Sequence, residues 1–144
     1  MCGIAGFYHR EKDYGKDGTY YRSILVAMHE KLCRRGPDDA GVYLQGQCGL
    51  SHSRLSIIDL SGGHQPMVRR QGERSCAIAY NGELYNAREL RRDLEQRGWQ
   101  FETTCDTEVI LLGFMEYGAE IASKLNGIFA FAILDEREDM VFLF

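Results

Sequence analysis

The residue with the most chemical reach in this sequence is Cys2. An initiator methionine is generally removed ahead of a small second residue, which leaves a first-residue cysteine with an unblocked α-amine. A thiol near pKa ~8.5 is a weak nucleophile until its proton is taken, and an α-amine near ~7.7–8.0 is matched to that task at neutral pH. One residue then supplies both nucleophile and base, as a threonine does when paired with its own N-terminal amine. Acyl transfer also needs donors for a developing oxyanion. In Tyr80-Asn81-Gly82-Glu83-Leu84-Tyr85-Asn86, the Asn81 amide and the Gly82 backbone N–H can converge on one oxygen. The competing reading of Asn-Gly is a tight hairpin turn.

A free amino acid as substrate would require groups for a carboxylate and for an ammonium. Arg54, closing an apolar run, has the planar fork that suits a carboxylate. Glu83 and Asp106 are the acids available for an ammonium. Against these stand a structural ion pair for Arg54 and a helix cap for Asp106. His52, beside Arg54, raises a cysteine–histidine hydrolase as a rival, but a packed or hydrogen-bonded histidine accounts for it as well. His64 reads as a support for its Gly-rich loop, and His9 and His29 carry no signal. The remaining cysteines have no close-spaced partner, so neither a structural zinc site nor a disulfide framework is expected. Cys33, Cys48 and Cys76 read as small buried apolar residues.

These groups must be held by a core, and the chain is long enough to have one. It has 144 residues, 44% of them apolar and 26% charged, with 17 Lys+Arg against 21 Asp+Glu. That is a globular composition for one domain. The basic residues are scattered, which argues against nucleic acid, and no apolar run is long enough for a membrane helix. The start lacks the plan of a signal peptide, so a cytoplasmic, reduced protein is expected.

Strands are predicted at residues 3–9, 41–45, 49–53, 75–80 and 99–103, and a hairpin from 127–134 and 140–144. Helices are predicted at 17–35, capped by Asp17 or Thr19; at 86–97, opened by an Asn86/Glu89 capping box and stopped at Gly98; and at 106–117, stopped at Gly118. A helical turn is expected at 119–125 and a loop at 59–66. Short connections between strands point to an α+β fold, with largely antiparallel sheets and helices outside. The chain closes on the apolar run Val141-Phe142-Leu143-Phe144, an edge expected to pair with further chain or with a second copy.

Taken together and in order, the motifs Met1-Cys2-Gly3-Ile4-Ala5-Gly6-Phe7, Arg35-Gly36-Pro37-Asp38, Arg54-Leu55-Ser56-Ile57-Ile58-Asp59, Gly63-His64-Gln65-Pro66-Met67, the segment from Tyr80 to Asn86, Asp106-Thr107-Glu108 and Gly127-Ile128-Phe129-Ala130-Phe131-Ala132 resemble the glutaminase domain of class II, N-terminal-nucleophile glutamine amidotransferases. Within that family the asparagine synthetase branch is the nearest match. The family usually has a histidine where Arg34 stands here.

The resemblance implies a four-layer αββα sandwich that hydrolyses the side-chain amide of L-glutamine. Cys2 would be the nucleophile, and Asn81 with Gly82 the oxyanion hole. Arg54 would hold the α-carboxylate in a pocket lined by Leu55, Ser56, Ile57 and Ile58, and Glu83 with Asp106 would hold the α-ammonium. No metal or cofactor is implied for this step. Residues 1–144 would be an incomplete glutaminase domain, its last strands missing. The absent synthetase domain would be the partner that uses ATP and Mg. The alternative is a catalytically incompetent fragment that acts as an interaction module, including a homodimer through its C-terminal strand.

Overall fold

The computed structural model describes residues 2–55 and 63–144. The first sheet is built from β1 (Gly3–Tyr8), β2 (Asp39–Gln45) and β3 (Cys48–Arg54), in the antiparallel order β1-β3-β2. The second is built from β4 (Met67–Gln71), β5 (Arg74–Leu84), β6 (Gly127–Asp135) and β7 (Met140–Leu143), antiparallel and in chain order. Helix α1 (Gly18–Leu32) covers the first sheet, preceded by a 3-10 turn at Tyr14–Asp17. Helices α2 (Ala87–Gln96) and α3 (Asp106–Tyr117) form the opposite outer layer, with α3 lying on β5, and a second 3-10 segment, Gly118–Lys124, leads into β6. The result is the expected α+β sandwich of four layers, αββα.

Two unequal cores hold it. Alternation along β5 sends Cys76, Ile78 and Tyr80 towards the helices, where they join Val109, Ile110, Phe114, Phe131 and Ile133. The intervening Ala77 and Ala79 face the other sheet and pack with Cys48, Leu50, Ala132 and Leu134. Small side chains on that inner face let the two sheets approach closely.

Several elements differ from the sequence expectation for identifiable reasons. Asn81-Gly82 is no turn: β5 runs on to Leu84, with Asn81 opposite Ala130 and Gly82 opposite Phe129. A Cβ at Gly82 would lie 2.5 Å from the Ile128 carbonyl oxygen, so glycine here serves close strand approach. Residues 99–103 do not form a strand, because the N–H groups of Glu102 and Thr103 donate to the Glu108 carboxylate at 2.9 and 2.7 Å. Strand β4 is additional to the expected set and is joined to β5 across Gly72, at φ 58°.

The expected caps are also absent. Asp17 and Asn86 make no side-chain capping bond. Instead the Asn86 amide donates to the Lys124 carbonyl and its oxygen accepts from Asn126 N–H, tying α2 to the start of β6. Cys33 is exposed, since α1 ends at Leu32, whereas Cys48 and Cys76 are buried as expected. The loop expected at residues 59–66 lies outside the described residues up to 62; residues 63–66 are irregular and include a cis Gln65–Pro66 bond.

Candidate active site

One cleft of about 330 Å³ opens where the ends of β3 and β5 meet the N-terminus of α3. Cys2 enters it from the residue before β1. The pairing of Gly3 with Ser53 sets Cys2 beside the end of β3, where Leu55 N–H donates to the Cys2 sulfur at 3.4 Å and the thiol reaches the Leu55 carbonyl at 3.8 Å. Arg35, from the Arg-Gly-Pro-Asp motif, donates its Nε to the Cys2 carbonyl at 3.4 Å.

Arg54 is the last residue of β3 and is 7% exposed. Its guanidinium lies against Gly63, where a Cβ would come within 2.3 Å of Nη2, so the backbone of that loop packs directly on the charged plane. Asn81, Gly82 and Glu83 line the cleft from the end of β5, with Glu83 exposed at its rim.

Asp106 closes the site from the first turn of α3. It is not the helix cap: Cys105 occupies that position, while Asp106 Oδ2 accepts from the Tyr80 hydroxyl at 2.8 Å and from Leu84 N–H at 3.2 Å. Burial, then the charge of Asp106, push the Tyr80 hydroxyl well above the usual phenol range, so it stays protonated and keeps donating.

The structure therefore brings Cys2, Arg54, Leu55, Asn81, Gly82, Glu83 and Asp106 to one cleft. Ser56, Ile57 and Ile58 lie outside the described residues. His52 is fully buried between the sheets, its Nε2 bonded to the Tyr80 carbonyl at 3.0 Å. Burial, with Arg54 nearby, lowers its pKa to about 4 against the contrary pull of that carbonyl. A histidine committed in this way is structural, as one reading of the sequence had it. His64 likewise supports its loop, with Nδ1 2.7 Å from Asp39 Oδ2.

Sequence reasoning missed Tyr80, Gln65 and Cys105, all of which line the cleft. Tyr80 opens the segment from Tyr80 to Asn86 already singled out, which is the signal that could have found it. Gln65 likewise stood inside the motif Gly63-His64-Gln65-Pro66-Met67, which carried no role for it, and Cys105 has no local pattern that marks it.

A four-layer αββα sandwich with a thiol leading into its first strand and a cleft of amide, carboxylate and guanidinium groups is the architecture of N-terminal-nucleophile amidotransferases. The model of the glutamine amidotransferase domain family matches residues 1–144, and the chain belongs to that family. It is 41% identical over 142 residues to asparagine synthetase (glutamine-hydrolyzing) 3 of Bacillus subtilis, covering 99% of this chain and 22% of that relative. To asparagine synthetase B of Escherichia coli it is 37% identical over 139 residues, covering 96% and 24%. Among solved structures it is similar to glutamine phosphoribosylpyrophosphate amidotransferase from B. subtilis, with a TM-score of 0.55 and 30% identity over 69% of this chain and 24% of that one. The chain thus spans about a quarter or less of the length of these relatives.

Proposed function

We propose that this chain is a glutaminase module that hydrolyses the side-chain amide of L-glutamine to glutamate and ammonia through a thioester on Cys2. The observation that carries the reading is the convergence on one cleft of the Cys2 thiol, the Asn81-Gly82 pair, the Arg54 guanidinium and the Asp106 carboxylate.

In this mechanism Met1 is removed and the Cys2 α-amine takes the thiol proton. Sulfur attacks the amide carbon, and Asn81 with Gly82 N–H holds the oxyanion, an arrangement in which one donor is typically worth ~100- to 1000-fold in rate. The protonated amine then gives its proton to the departing nitrogen, releasing ammonia and leaving a γ-glutamyl thioester that water cleaves. Arg54 binds the α-carboxylate as a bidentate fork, and Asp106 with Glu83 binds the α-ammonium. The ligands of Asp106 come from Tyr80 and Leu84, so its carboxylate is fixed before substrate arrives, which lowers the ordering cost of binding.

Incubation with L-glutamine should release glutamate from the parent chain, and Cys2→Ala should reduce release to background. A Cys2→Ala variant as active as the parent would contradict the assignment.

We further propose that residues 1–144 are one domain of a longer asparagine synthetase-like protein, whose synthetase part would use ATP and Mg and consume the ammonia. The share of the relatives' length that the chain covers supports this. A second reading, an interaction module that dimerises through β7, is favoured by that edge strand, where Leu143 is 78% exposed and Met140 47%. Sedimentation velocity tests this second reading, since a strictly monomeric chain contradicts dimerisation.

A further inference from the structure

The segment at residues 63–65 touches β3, β5 and α3, which carry Arg54, Asn81 and Asp106, and nothing in the mechanism uses it. Gly63 packs on the Arg54 guanidinium. His64 latches to Asp39 at 2.7 Å. Gln65, 5% exposed, crosses the gap between β5 and α3. Its Oε1 accepts from Tyr80 N–H at 2.6 Å, and its Nε2 donates to Thr107 Oγ1 at 3.3 Å. Tyr80 immediately precedes Asn81, and Thr107 immediately follows Asp106. One buried amide therefore fixes the spacing between the strand that carries the oxyanion donors and the helix that carries the ammonium-binding carboxylate.

We infer that Gln65 is a positioning residue that sets this spacing, with Thr107 as the arm that aligns Asp106. The inference rests on the glutaminase reading and assigns its two consequences to different kinetic constants. The Tyr80 arm acts on Asn81, whose interaction grows in the transition state, so cutting it lowers kcat. The Thr107 arm acts on Asp106, which binds the α-ammonium equally in the ground and transition states, so cutting it raises KM alone.

Three variants separate these effects. Thr107→Val keeps the volume and removes the acceptor; it should raise KM for L-glutamine about tenfold with kcat within about twofold, as loss of one buried hydrogen bond implies. Thr107→Ser restores the acceptor and should return KM to the parent value. Gln65→Met cuts both arms and should also lower kcat, by about 100-fold if the oxyanion donors move by ~1 Å.

A purely structural role would shift thermal midpoints without dividing KM from kcat. Parent-like constants in Thr107→Val, or a Thr107→Ser variant as impaired as Thr107→Val, overturns the inference, and this pair decides it even where Gln65→Met does not fold. An inactive parent chain overturns the glutaminase reading itself, and the inference with it.

Discussion

Helix α1 buries little of itself: of its residues only Leu25 is fully covered, while Tyr20 and Val26 face solvent. Helix α3 buries all of residues 107–115 and anchors the larger core. The site straddles these two halves. Cys2 and Arg54 belong to the half whose outer helix, α1, is lightly buried, although β3 itself is buried throughout, whereas Asn81, Glu83 and Asp106 belong to the half under α3. A site on such a seam depends on links between the sheets, and the bond from His52 on β3 to the Tyr80 carbonyl on β5 supplies one.

The contrast is most easily broken by truncating each helix in turn. Phe114→Ala removes a fully buried ring in α3 and should cost about 3–5 kcal/mol in denaturant unfolding. Val26→Ala on α1 should stay within about 0.5 kcal/mol. Similar losses at the two positions would erase the distinction.

A smaller effect concerns the link between sheets. His52 is buried neutral, with its pKa lowered to about 4 from an ordinary 6.5. The unfolded chain therefore binds a proton more readily than the folded one between these values. The stability contribution is present above pH ~6.5 and is lost as pH falls towards ~4, by about 3 kcal/mol at the lower limit. His52→Gln should flatten this part of the stability–pH curve; an unchanged curve would remove His52 as its source.

Least costly to the fold is thiol labelling. Burial pushes Cys48 up to about 12, and burial with the charge of Asp135 does the same to Cys76. Exposed Cys33 should react with iodoacetamide in the native state while those two stay protected, as read by peptide mass. Equal labelling would show that the inner layers open readily.

Much of the site was legible because its residues fall in ordered motifs, and α3 follows its predicted bounds because Gly118, at φ 61°, ends an uninterrupted apolar helix. Long-range pairing hid the rest. Asn81-Gly82 carries a strong local turn signal that β6 overrides by hydrogen-bonding along its length. Residues 99–103 carry strand-forming side chains, but a buried carboxylate five residues beyond Thr103 takes their N–H groups. Arg69, which also meets that carboxylate at 2.8 Å, sits on the strand that periodicity did not reveal. Gln65 is a glutamine in a turn-rich segment until the fold brings Tyr80 and Thr107 to its two ends.

The central claim is that the Cys2 sulfur carries the γ-glutamyl group and that its own α-amine is the base. Two preparations differing only in Met1 test it directly, by intact and peptide mass after rapid acid quench with L-glutamine alongside glutamate release. The account predicts a γ-glutamyl adduct on the peptide beginning at Cys2 and turnover in the processed chain, with neither when Met1 is retained. Equal turnover in both preparations, or an adduct on another residue, would contradict it.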